Sequence, residues 1–453
     1  MEPHERRTVI AYGEKPVPRY TSYPTANHFG PEVGAEDYRS WLRALKPGSA
    51  LSLYVHIPFC RSLCWYCGCH TTVTRRRERL RNYTDCLRRE IDAVAGLLPG
   101  GLRVTHLHFG GGTPTWLDPE DLSGLIKTLR RRFEFSPDAE VAVEVDPRCL
   151  TQEMAGALAA GGVTRASLGI QDVSPDVQVR INRIQPMETV AECVGFLRKA
   201  GIGRLNFDVM YGLPGQTARH VADTIAATAP FRPARYAVFG YAHVPWFKAN
   251  QRAIDERFIP GTEERLEQAE TAEAALTARG YEALGMDHFA LPGDSLIRAG
   301  KAGRLRRNFQ GYTDDEADVL LGFGASAIGA LPQGYVQSEP RIGAYEESVR
   351  AGKLPVVRGI ALTGEDRLRR AAIERLMCDF TLDAGDLCRR FALSETALDG
   401  ALAALAPLAA DKLVSVQDRT VTVTGTGRRL IRHVAACFDG HLKPARNRHA
   451  RAV

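Results

Sequence analysis

Four cysteines fall within one short stretch, Cys60 to Cys69, and no other feature limits so sharply what this chain can be. They sit in HIPFCRSLCWYCGCH, residues 56–70, with the spacing C-x3-C-x2-C-x-C, directly behind the strand-like run LSLYVHIPF (51–59). Thiolates this close converge on one centre only where the backbone loops tightly. A structural zinc site usually takes a second Cys/His pair some distance on, and none is evident. A ferredoxin would show C-x2-C-x2-C with a distant fourth cysteine. The wider spacing reads instead as a [4Fe–4S] cluster bound by Cys60, Cys64 and Cys67. One iron is then left without a protein thiolate, open to a ligand's amino and carboxylate groups. Zinc, or accidental clustering, is the plainer alternative.

The other six of the ten cysteines (Cys86, Cys149, Cys193, Cys378, Cys388, Cys437) are scattered through periodic apolar segments and read as core thiols of a reducing compartment. The first residues show no apolar signal core, and no stretch approaches the ~20 apolar residues of a membrane span, so a cytoplasmic protein is expected. The formal charge of +6 suits an anionic substrate and is too weak to imply nucleic acid by itself.

Strand-like runs at 51–59, 104–111, 139–147, 165–172, 204–212 and 235–242 alternate with helical ones. Six β-then-α units predict an α/β fold with a parallel sheet: a partial, open (β/α)6 barrel of the TIM type, with functional residues at the C-terminal ends of its strands. An irregular N-terminal arm is expected over 1–45, the barrel over 46–300, and a loop-rich segment on the barrel mouth over 301–361, because residues 304–335 are Gly-rich and of mixed polarity. Residues 362–453 read as a mostly helical, winged-helix-like domain with a hairpin at 413–424 and a frayed basic tail, LKPARNRHARAV.

Three further features bear on chemistry. GGGTPT (110–115) follows the second strand, where glycines let backbone approach a ligand or simply make a turn. Glu144 ends the third strand and suits a ribose, or a salt bridge at the rim; Asp146 is read as facing the opposite side. Tyr54, on the first strand, can offer its phenol to a carboxylate or pack in the core.

The cysteine motif resembles that of the radical S-adenosylmethionine (SAM) superfamily. The wider text is similar to one family within it, the oxygen-independent coproporphyrinogen III oxidases, through PRYTSYPTA, LSLYVHIPFC, CWYCGC, HLHFGGGTPT, VEVDPR, LGIQD, NFDVMYGLPGQT, VFGYAHVP, GMDHFA, RNFQGYT and ALTGEDRLRR, from about Arg19 to the C-terminal module. The resemblance implies oxidative decarboxylation of two propionates of coproporphyrinogen III to vinyl groups, giving protoporphyrinogen IX, by a 5′-deoxyadenosyl radical. It implies a [4Fe–4S] cluster and two SAM molecules per chain. One SAM would meet Tyr54, Gly111, Glu144 and Ile328; the other would meet Tyr66, Gly112, Thr113, Gln171, Arg183, Asp208 and Ala242.

Cys69 is implied as a catalytic, non-ligating thiol; related heme chaperones usually carry Phe there. An electron donor such as flavodoxin or ferredoxin, a monomeric state, and no membrane or nucleic-acid partner complete the expectation. Four propionates call for cations, with Arg19, Arg306 and Arg307 as candidates. Two rival readings are a heme chaperone on the same fold and an iron–sulfur DNA-binding regulator. Cys69, the arm and RNFQGYT speak against the first; the modest charge and the lack of a dense basic recognition helix speak against the second.

Overall fold

The computed structural model describes residues 1–442, so the basic tail beyond Leu442 lies outside the described residues. One 12-stranded sheet organises the chain: β1 (Ala50–Ile57), β2 (Arg103–Gly111), β3 (Glu134–Val145), β4 (Arg165–Gln171), β5 (Arg204–Tyr211), β6 (Arg235–Gly240), β7 (Glu282–Leu284), β8 (His288–Ala290), β9 (Val319–Phe323), β10 (Ile328–Leu331), β11 (Gly334–Ser338) and β12 (Val356–Ala361). Their order across the sheet is 12-11-10-9-1-2-3-4-5-6-8-7. β1 to β6 run parallel in sequence order, as the βα rhythm predicts.

The alternation along β1 explains the layering. Leu51, Leu53, Val55 and Ile57 are buried against the outer helices, while Ser52, Tyr54 and His56 point the other way, into the barrel. Helix Arg77–Ala95 answers with Leu80, Tyr83, Leu87, Ile91 and Val94, spaced three or four apart on one face. Burying each such side chain is worth about 1.5–3 kcal/mol before conformational entropy is charged against it. The barrel interior is polar by contrast. His106, Glu140, Arg165, Asn206, Asp208 and Arg235 border a cavity of about 210 Å³.

The expected loop-rich segment is largely sheet. β9 lies parallel to β1, pairing Leu53 with Leu321 and Tyr54 with Gly322, and β10 to β12 continue antiparallel. Its glycines serve close approach inside the sheet: a Cβ on Gly322 would stand 2.6 Å from the Ile328 carbonyl oxygen. The arm also departs from expectation, since it holds helices at Pro3–Gly13 and Ala35–Arg43. Val9, Tyr20 and Tyr23 of the arm join the core of the C-terminal module with Leu368, Leu376, Leu405, Val421 and Phe438. Arg432 fastens this union by donating to the carbonyls of Val17 and Pro18. The expected hairpin is present as Val414–Gln417 paired with Thr420–Val423.

Glu90 ties helix Arg77–Ala95 to the turn after β9. It is 3% exposed, and its Oε2 accepts from both the Gly324 amide (2.8 Å) and the Tyr345 hydroxyl (2.6 Å). Burial pushes its carboxyl up to about 7. A raised acid pKa favours the fold most at low pH, and that contribution is lost as pH rises from the ordinary carboxyl range through about 7. Glu90→Gln can keep both bonds on one oxygen while removing the charge. Its Tm relative to the wild type should therefore be higher at about pH 8 than at about pH 5. Glu90→Ala, which orphans two buried donors, should cost about 1–3 kcal/mol for each at about pH 5, and less at about pH 8, where the wild type has lost the contribution of its protonated carboxyl. Thermal melts of both variants at the two pH values check this; a glutamine variant that loses ground on going to high pH would count against the buried charge.

Candidate active site

The cysteine loop leaves β1 and returns on itself. Phe59–Cys60 pairs with Thr72–Val73, the Thr72 amide donates to Pro58 O (2.8 Å) and the Thr74 amide to Cys60 O (3.1 Å). Inside the loop, Cys67 N donates to Cys64 O at 3.2 Å. Side chains far off in sequence hold its carbonyls: Asn250 Nδ2 donates to Trp65 O and Cys67 O, each at 3.0 Å, Gln251 Nε2 to Tyr66 O at 2.9 Å, and Asn182 Nδ2 to Leu63 O at 2.8 Å. The first turn after β2 abuts the loop. Gly111 has φ +116°, and a Cβ on Gly112 would stand 2.6 Å from Phe59 O. Both positions need glycine.

A cavity of about 480 Å³ opens between this loop and the C-terminal ends of the strands. Cys60, Cys64, Cys67 and Cys69 form one wall, and Tyr66, Gly111, Gly112, Thr113, Glu144, Gln171, Arg183, Asp208 and Ala242 also line it. Tyr54 and Ile328 do not. The Tyr54 hydroxyl pairs with His56 Nδ1 at 2.9 Å, and the Ile328 side chain packs beside Phe29, Tyr335 and Leu362. Asp146 shares the cavity with Glu144, so the expectation of opposite faces fails: residues two apart on a strand share a side. Of the three substrate-binding arginines expected, Arg19 lines this cavity and donates to Gly240 O (2.6 Å), whereas Arg306 and Arg307 border a separate one of about 110 Å³. Arg306 lies 3.5 Å from Asp318, and Arg307 stacks on Tyr312.

The radical SAM superfamily model matches residues 54–227. The oxygen-independent coproporphyrinogen III oxidase of Bradyrhizobium diazoefficiens is 49% identical over 444 residues, 98% of this chain and 99% of that one. The chain belongs to the oxygen-independent coproporphyrinogen III oxidase family. The relative of that name from Escherichia coli is 42% identical over 94% of this chain and 93% of its own. The solved coproporphyrinogen III oxidase of Escherichia coli, described as a radical SAM enzyme, superposes with a TM-score of 0.89 at 41% identity, covering 94% of this chain and 98% of that one. A radical SAM oxidoreductase works with a [4Fe–4S] cluster and SAM.

The cavity of this oxidase fits such a cluster. A hydrogen bond from Cys69, against burial, lowers the Cys67 thiol to about 7, near the thiolate form that iron takes. Cys64 lies 3.4 Å from Arg148 Nη2 and 3.5 Å from Arg183 Nη1.

Two buried carboxylates respond in opposite ways. Burial works to raise Asp146, yet Arg183 (3.4 Å) and Arg148 (2.6 Å) hold it down to about 2. Burial pushes Asp208 up to about 7, although Ser167 Oγ (2.9 Å) and Asn206 Nδ2 (2.8 Å) donate to it. Glu144 accepts from the Gly111 amide at 3.0 Å. Sequence reasoning missed Asn182, Asn250, Gln251 and Arg148. No local pattern marks a polar side chain whose partner is a carbonyl on a distant loop; only Arg148, two residues past Asp146, stands at a readable place.

Proposed function

We propose that this chain turns coproporphyrinogen III into protoporphyrinogen IX without oxygen. The observation that carries the reading is the single cavity joining three loop thiols to Glu144, Gln171, Arg183 and Asp208 at the strand ends. Cys60, Cys64 and Cys67 hold the cluster, and Cys69 acts beside them without binding iron. Gly111 and Glu144 receive the first SAM, with Tyr54 behind them through His56 and Ile328 supporting β9 from the next strand. Tyr66, Gly112, Thr113, Gln171, Arg183, Asp208 and Ala242 receive a second. When bound, the cluster and SAM supply the one-electron chemistry that replaces two propionates by vinyl groups with loss of carbon dioxide. The chain's own residues bind, orient and exclude water. Arg19, at the cavity edge, takes a propionate carboxylate as a charge-assisted pair.

The protein works as a cytoplasmic monomer fed by a protein electron donor. In line with this, no helix among the described residues is long and apolar enough to cross a membrane.

Anaerobic turnover by cluster-loaded protein, with reductant, electron acceptor and SAM, is the test. Vinyl product should form only when reductant and SAM are both present. Tight stoichiometric heme binding without decarboxylation would favour the chaperone instead. Equilibrium binding should find two SAM equivalents per chain. Asp208→Ala should weaken one of them by about tenfold or more while leaving iron content unchanged, since a lost buried hydrogen bond to a ligand costs about 1.5–3 kcal/mol. A single SAM site indifferent to Asp208→Ala would end the two-site assignment.

A further inference from the structure

Outside the barrel, directly behind the cysteine loop, the chain carries a run of cations that the cavity chemistry does not use. Arg61 follows Cys60, and Arg75, Arg76, Arg79 and Arg81 come just after the strand Thr72–Val73 that pairs with Cys60. All five are exposed. Trp116 gathers the group into one face. Its ring lies 5.9 Å from Arg61 and 4.2 Å from Arg77, its Nε1 donates to Thr74 O at 2.9 Å, and Arg79 stands 5.9 Å from the Phe59 ring.

The charge of this face is not neutralised. Asp118 lies 3.3 Å from Arg77 and 3.8 Å from Arg81, but Arg61, Arg75, Arg76 and Arg79 form no ion pair among the described residues. Elsewhere exposed arginines are commonly paired, as Arg103 is with Glu134 (2.9 Å) and Arg257 with Asp255 (2.7 Å).

We infer that this face docks an acidic one-electron carrier protein. The inference rests on the proposed cluster at Cys60, Cys64 and Cys67. The thiols face a cavity that substrate and SAM must fill, so an electron has to arrive from the other side of the loop. The cationic face is that other side, one residue from Cys60. An uncompensated patch of one sign raises the encounter rate of an oppositely charged partner and orients it. In the transfer, one electron leaves the reduced carrier and enters the cluster, which passes from its 2+ to its 1+ state; no bond or proton moves.

The test uses cluster-loaded enzyme and an acidic flavodoxin. Two readouts are taken: the Kd for the oxidised flavodoxin, and the rate at which the reduced form gives the cluster's reduced-state EPR signal. The triple variant Arg61→Glu/Arg75→Glu/Arg79→Glu should raise the Kd and slow the rate by about tenfold or more at low ionic strength. The wild type's advantage should fade toward about 1 M salt, where the screening length falls to about 3 Å. Reduction by dithionite should be unaffected. Arg219→Glu, on an exposed helix of the opposite flank, should change neither readout.

Should charge reversal disturb the loop and slow dithionite as well, the glutamine triple variant decides, since it removes charge without adding repulsion. An unchanged Kd and rate in that variant would overturn the docking face, as would tighter competition by a short DNA duplex for the same residues. Failure of decarboxylation with a normal flavodoxin Kd would instead count against the proposed reaction.

Discussion

Serine at Cys64 is expected to strip the protein of cluster iron and of turnover together. Cys64 is 7% exposed, and its sulfur stands against two guanidiniums, at 3.4 Å from Arg148 and 3.5 Å from Arg183. Iron takes a soft thiolate as its ligand. A serine hydroxyl does not supply one. Iron and sulfide content, and the broad visible absorbance, should fall to background, and product formation with them. Cys60→Ser and Cys67→Ser should behave alike. Cys69→Ser should keep its iron while turnover drops, because that thiol touches Cys67 without sharing its role. Full iron content in Cys64→Ser would remove it from the ligand set.

Arg183→Met is expected to cost about 3–5 kcal/mol of stability, the usual penalty for stripping one partner from a buried ion pair. Arg183 is 6% exposed, lies 3.4 Å from Asp146 and donates to Gly169 O at 2.6 Å. With Arg183 gone, Arg148 alone compensates the Asp146 carboxylate. The wild-type pair stabilises the fold above the ordinary carboxyl range and loses that contribution as pH falls toward about 2, so the variant should suffer most at neutral pH. The double variant Asp146→Asn/Arg183→Met removes the stranded charge and should recover part of the stability. It should not recover the second SAM equivalent, because the guanidinium proposed to meet that ligand is still absent. Denaturant midpoints and SAM binding, measured side by side, separate the two roles; recovery of both together would make Arg183 purely structural.

The barrel was legible because its strands are covered on one side by helices and line a cavity on the other, so β1 to β6 each read as a short strand pattern before a helix. The cysteine loop was legible because its spacing is local. β9 to β11 were not, since Gly322 and Gly329 look like loop residues until the antiparallel partners that crowd them are known. The arm hid its helices behind prolines and aromatics whose burial comes from the distant C-terminal core. That Arg306 and Arg307 border a different cavity from Arg19 was not legible either, because nothing local shows which way the short hairpin bearing them turns. Asn250 and Gln251 act across more than 180 residues, beyond any periodicity.

Those two side chains and Asn182 brace the cysteine loop by its carbonyls, independently of any metal. A zinc finger has no fold to return to once its metal leaves. Here the loop is also held from outside, by side chains that are not themselves ligands. A cluster destroyed by a burst of oxygen would leave behind a folded, refillable shell instead of an unfolding chain, and repair would require only fresh iron and sulfide, with the thiols reduced. The oxygen sensitivity of such an enzyme is then a matter of reloading, set by three asparagine and glutamine amides far from the iron in sequence.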